Sequence, residues 1–164
     1  MKRSGFTMIE LIFVIVILGI LAAVAIPRLA ATRTDAAAAK TSSNLATVVS
    51  DMGAYWTSKG SWAGTWPAMT NVPLTTAAGG TTAATAFVAG TPMYLNAKAL
   101  TAADATQGCF TISADVNGTV SVTALAAGNS AECVAAKAAA LRNNITAADG
   151  TAKTTPFGGT GVVQ

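Results

Sequence analysis

The sequence predicts an α+β fold: a long N-terminal helix, kinked near Pro27, with a small antiparallel sheet packed on its C-terminal half. Three observations carry this. From Leu11 to Ile26 no residue is charged or strongly polar, so the chain begins with an apolar run of helical length. Beyond it Leu45, Val48, Val49, Met52 and Trp56 recur at spacings of three and four, the signature of one helical face. Later, Cys109 to Asp115 and Thr119 to Leu125 alternate apolar and polar residues around Asn117-Gly118, a strong short-range hairpin signal.

In chain order, the helix is expected from about Phe6 to Lys59, with Gly60 as its stop signal. Its first part, residues 6–27, is apolar all round, whereas residues 28–60 are amphipathic and need a globular partner on one side only. Pro27 lacks a backbone N–H and crowds the preceding turn, which kinks such a helix rather than necessarily ending it. The run Ala36 to Ala39 favours helix, and Arg33, Lys40, Ser43 and Asp51 fall largely off the apolar stripe.

Residues 61–164 then form the globular head. Tyr55, Trp56, Trp62 and Trp66 cluster around the helix end and are expected to cover the junction of helix and head, where large rings bury the most area. Residues 70–92 are rich in Thr, Ala and Gly and are expected to form a surface loop, with a short strand near Ala86 to Ala89. The hairpin occupies residues 109–125, with a type I′ turn at Asn117-Gly118 in which both central residues need positive φ. Asn129 and Glu132 have the spacing of a capping box for a helix running to about Arg142. The tail from Thr154 to Val163 has room for a last strand, bent by its glycines.

Composition excludes several functions. Only 10% of the 164 residues are charged, against roughly 25% in an ordinary soluble domain, so the surface is neutral and hydroxyl-rich. Such a surface suits packing beside copies of itself, because repulsion between neighbours is small. The net charge of +3 includes Lys2 and Arg3. Without them, eight basic and seven acidic residues remain, and the basic ones stand singly. No basic stripe exists to neutralise a run of phosphates, so nucleic acid is not an expected partner. Histidine is absent, which removes the usual general base and the commonest metal ligand. No catalysis, cofactor or metal is expected.

The N-terminus is the most informative segment. Phe6 to Ile26 as a helix would extend about 31 Å at ~1.5 Å per residue, matching a hydrocarbon core of about 30 Å. Lys2 and Arg3 precede it, so the N-terminus should stay cytoplasmic while the rest crosses. Three readings compete: a secretory signal peptide cut near Ala23-Val24-Ala25, a permanent signal anchor, and cleavage before the apolar run. The run exceeds an ordinary signal h-region of ~7–15 residues. Glu10 separates the other two, since a carboxylate in an apolar helix is costly without a partner. Cleavage between Gly5 and Phe6 would create an amino group about 6 Å along the helix axis from Glu10, on the same subunit or a neighbour.

Lys2-Arg3-Ser4-Gly5-Phe6-Thr7-Met8-Ile9-Glu10-Leu11 resembles the class III leader and processing site of type IV pilins and the related pseudopilins. The close resemblance runs from Lys2 to about Arg28. It implies that residues 1–5 are a leader removed by a prepilin peptidase, which also N-methylates Phe6, and that Glu10 is the assembly glutamate. Pro27 falls where many members carry a helix-kinking proline. The implied partners are the membrane before assembly, the peptidase/N-methyltransferase, an inner-membrane assembly platform and copies of the chain in a helical filament. The implied location is the inner membrane, then an extracellular pilus or a periplasmic pseudopilus. Thr7, Gly19, Ala22 and Ala23 would permit close helix approach.

In an exported chain Cys109 and Cys133 are expected to form one disulfide. They enclose 25 residues, for which the chain-entropy model gives about 3.5 kcal/mol as an upper figure. Type IV pilins commonly close a C-terminal segment this way, and major pseudopilins more often do not. Asn117-Gly118-Thr119 and Asn144-Ile145-Thr146 fit the glycosylation pattern, although the turn alone explains Asn117. A faint calcium-loop pattern at Asp115 lacks its closing glutamate. The resulting expectation is a pilin. The alternatives are a type II secretion pseudopilin, a minor pilin, or, from another class, a membrane-anchored periplasmic binding or enzymatic domain with no assembly role.

Overall fold

The computed structural model describes residues 6–98, 103–148 and 150–158. The chain divides into two compact units, Met1–Thr34 and Asp35–Gln164. One helix, α1 (Met8–Lys59), contributes to both and contains Pro27. Gly60 follows it at φ +68°, and its N–H bonds the Trp56 carbonyl. A left-handed residue there satisfies a terminal carbonyl at little steric cost.

In the first unit every described residue from Phe6 to Arg33 is exposed. The second unit has a hydrophobic core of its own. Its strands are β1 (Met93–Asn96), β2 (Gly108–Ala114), β3 (Thr119–Ala124) and β4 (Lys153–Pro156), and helix α2 (Ala131–Arg142) precedes the last. They form one antiparallel sheet in the order β1-β2-β3-β4. The β2–β3 register sets Phe110 opposite Ala124, Ile112 opposite Val122 and Ala114 opposite Val120. Alternation therefore delivers Phe110, Ile112, Val120 and Val122 to one face, where they are buried with Leu45, Val48 and Met52 of α1. The small sheet packs against the C-terminal part of the long helix.

Gly53 shows how closely the parts fit. A Cβ at this position would lie 2.3 Å from the ring of Phe157, just beyond β4. The sheet edges are also specific. At the β1 edge, Thr75 and Tyr94 exchange both backbone bonds, each at 2.9 Å. At the other edge, β4 is four residues long and ends in Pro156.

The hairpin forms, but with a different turn. Among the described non-glycine residues only Asn144 has positive φ, so Asn117 does not adopt the conformation that type I′ requires. Instead Val116, Asn117 and Gly118 make a three-residue loop, with Gly118 at φ +83° and Asp115 N–H donating to Thr119 O at 2.9 Å. The Asp115 carboxylate selects this form by accepting the N–H groups of Asn117 and Thr119 at 2.9 and 2.7 Å.

Two other expectations are corrected. The cap of α2 is Ser130, not Asn129: its hydroxyl accepts the Cys133 N–H at 3.2 Å, satisfying an otherwise orphaned donor. Ala86 makes only an isolated bridge to Thr65. The strand here is β1 instead, where Met93 and Leu95 alternate into the core. The expected tail strand is represented by β4, and residues 159–164 lie outside the described residues.

Candidate functional site

The N-terminal segment presents an apolar surface that no charge interrupts from Leu11 to Ile26. Phe6 is 86% exposed, and Ile9, Leu11, Phe13, Leu18, Leu21 and Leu29 are all more than half exposed. α1 is long and apolar enough to cross a membrane. Its apolar part is exposed, a surface of the kind that lipid or other proteins cover.

Glu10 sits in the first turn of α1, and it has a partner within the chain. Its Oε2 accepts both the backbone N–H and the hydroxyl of Thr7, at 2.8 Å each. In return the Thr7 hydroxyl oxygen lies 3.4 Å from the Glu10 N–H, which donates to it. Thr7 precedes the first helical residue and Glu10 is the third within the helix, so the two form a reciprocal capping box. This cap gives Glu10 a partner within its own chain that the sequence analysis did not weigh. The pattern Thr-x-x-Glu before an apolar run was the signal in the sequence. Glu10 Oε1 accepts no bond among the described residues. Phe6 is described and exposed, whereas Gly5 lies outside the described residues.

In the second unit, Cys109 and Cys133 are joined by a disulfide, with Cα atoms 5.0 Å apart, and both residues are fully buried. The bond ties the start of β2 to the first turn of α2. Trp56 and Trp62 pack at 4.6 Å, and Phe87 touches both Trp62 and Trp66, at 5.8 and 5.1 Å. Phe87 lies in the Thr/Ala/Gly-rich loop and has no periodic context in the sequence. Trp62 Nε1 donates to the Asp115 carbonyl at 2.6 Å, and Trp56 lies against Gly118. The aromatic cluster therefore seats the β2–β3 turn at the end of α1. Asn117 is exposed at that turn. Asn144 is exposed too, but its side chain and carbonyl both receive the Lys153 ammonium.

Charges in the head serve loops. Asp104 accepts the N–H and hydroxyl of Thr106 at 3.0 and 2.7 Å, and these bonds hold its carboxyl below the usual carboxylate range. Lys137 donates to the carbonyls of Leu125 and Gly128, while partial burial pushes its ammonium down from the usual lysine value. No cluster of His, Cys, Asp and Glu suited to a metal occurs among the described residues.

No curated protein and no solved structure matches the chain. The family model of the prokaryotic N-terminal methylation motif matches residues 1–26, the segment that holds Glu10, its threonine cap and most of the exposed apolar surface. The match covers the same segment whose residues resemble the leader and processing site of type IV pilins and pseudopilins.

Proposed function

We propose that the chain is a pilin: a structural subunit that polymerises into a type IV pilus filament after cleavage behind Gly5 and N-methylation of Phe6. The observation that carries this is the coincidence of the methylation motif with an apolar helix that nothing described in the chain covers. Such a helix is satisfied by lipid before assembly and by neighbouring helices afterwards. Cleavage leaves the Phe6–Thr7 peptide intact, so the cap on Glu10 survives processing. Oε2 stays with Thr7, and Oε1 is left for the Phe6 amino group of the same or another subunit.

The implied partners are the peptidase/methyltransferase, an inner-membrane assembly platform and other copies of the chain. The head lies outside the cytoplasm and Lys2 and Arg3 inside it. A second reading, a type II secretion pseudopilin, shares all of this chemistry. The disulfide and the weakly charged head favour the pilus.

Mass spectrometry of the N-terminal peptide from filaments sheared off cells tests the proposal. A chain beginning at N-methylated Phe6 in that fraction is the expected result. A processed chain found only in membranes favours the pseudopilin, and an intact Lys2–Gly5 leader everywhere, in cells that have the peptidase, overturns both.

A further inference from the structure

Two stretches of the head carry the acceptor pattern Asn-x-Ser/Thr, Asn117-Gly118-Thr119 and Asn144-Ile145-Thr146. Their surroundings set them apart. Asn144 has a structural task. Among the described non-glycine residues it alone has positive φ, at 55°, a conformation that asparagine tolerates better than most side chains. Its side-chain oxygen and its carbonyl both receive the Lys153 ammonium, and Thr146 is only 3% exposed. The amide is held in place and the threonine is out of reach.

Asn117 has no such task. The positive φ of its turn falls on Gly118, so the turn does not require asparagine. What Asp115 holds at position 117 is the backbone N–H, which any residue but proline supplies. The Asn117 side chain is exposed and makes no hydrogen bond among the described residues.

The turn is gripped from beneath through its backbone. Trp62 Nε1 bonds the Asp115 carbonyl, the Phe157 N–H bonds the Gly118 carbonyl at 2.9 Å, and Trp56 lies against Gly118. Val116, 74% exposed, and Asn117 are left at the apex. Alternation along β3 turns Thr119 away from the core and leaves it partly exposed. Asparagine and threonine are therefore both open on one rigid corner of the head.

We propose that Asn117 is an N-glycosylation site and that Asn144 is not. The inference rests on the reading that the head lies outside the cytoplasm, where a lipid-linked sugar pyrophosphate serves as donor. The Asn117 amide nitrogen forms a bond to the anomeric carbon. The bond from that carbon to the pyrophosphate oxygen breaks, its electron pair leaves with the pyrophosphate, and the amide gives up one proton. A glycan at the apex covers Val116 and hydrates a head with few charges.

The test is mass spectrometry of tryptic peptides from the native chain, taken from the sheared and membrane fractions of its own cells. Cleavage after Lys98, Lys137, Arg142 and Lys153 places the two asparagines on separate peptides, 99–137 and 143–153. The expected result is an added mass of sugar residues mapped to Asn117, with peptide 143–153 at its sequence mass. Thr119→Ala should abolish the addition and Thr119→Ser retain it, because the pattern requires a hydroxyl there. A bare Asn117, an addition at Asn144, or an addition that survives Thr119→Ala would each overturn the proposal. The same digest separates this failure from failure of the pilin reading. A bare Asn117 on chains that begin at N-methylated Phe6 removes the site alone, whereas a bare Asn117 on chains that yield peptide 4–28, with Ser4 and Gly5 still attached, removes both.

Discussion

Thr7 and Glu10 close a ring of hydrogen bonds at the very start of α1: two donors of Thr7 lie 2.8 Å from Glu10 Oε2, and the Glu10 N–H returns to the Thr7 hydroxyl. A carboxylate at the edge of an apolar helix is thereby given two tasks. It ends the helix, using a negative charge where the helix dipole favours one. Under the proposed function, its other oxygen would be left for a positive group brought from elsewhere.

Glutamine separates the two tasks, because it caps as glutamate does but carries no charge. Glu10→Gln and Glu10→Val are both expected to insert in the membrane normally and to reduce sheared filaments at least tenfold. Immunoblots of the sheared and membrane fractions provide the measurement. Abundant filaments from Glu10→Gln would reduce Glu10 to a cap and sink its role as a counter-charge.

Gly118 is held by its conformation and by Trp56. Its φ is +83°, and a Cβ would lie 2.2 Å from the indole ring. Gly118→Ala should cost about 2–4 kcal/mol, from backbone strain together with overpacking. Gly60 has φ +68° but open space around it, so Gly60→Ala should cost only about 1 kcal/mol. Chemical denaturation of the two variants compares them directly. Equal losses would mean that the indole does not constrain the turn.

The disulfide closes the segment between β2 and α2. Replacing Cys109 and Cys133 together by Ala should lower stability by about 2–4 kcal/mol. A reductant should destabilise the wild type by a similar amount and leave the double variant unchanged. Urea titrations with and without reductant test this, and an unaffected wild type under complete reduction would refute it.

Asp104 predicts a pH dependence. Its carboxyl titrates below the ordinary carboxylate range because Thr106 bonds the charged form. The unfolded chain therefore takes up the proton first as pH falls. The contribution of Asp104 is present above the unfolded value of about 3.9 and is lost as pH drops through the folded one. The stability gap between wild type and Asp104→Asn should be constant near neutrality and shrink below about pH 4. A gap that widens on acidification would reverse the sign of the argument.

The long helix, its stop at Gly60, the buried stripe of Leu45, Val48 and Met52, and the β2–β3 hairpin were legible because each rests on local periodicity or a terminal glycine. The methylation motif was legible because it is contiguous. What escaped the sequence depends on contacts between distant residues. Asp115 dictates the turn type through bonds that a two-residue pattern does not reveal. Phe87 joins the tryptophans from the middle of a loop with no period, and Gly53 is set by a ring more than 100 residues away. β1 was missed because four residues are too few to show alternation. The Thr7–Glu10 cap is the exception: its signal was local, and the membrane-crossing reading of the same residues hid it.

The two ends of the sheet bear on how many copies of this chain can live side by side. Tyr94 has already spent its backbone bonds on Thr75, and the opposite border is short and ends in a proline that has no N–H to give. Neither border is a template on which a second head could zip by strand pairing. In the filament proposed above, contact between copies would then fall to the exposed helices rather than to strand pairing between heads.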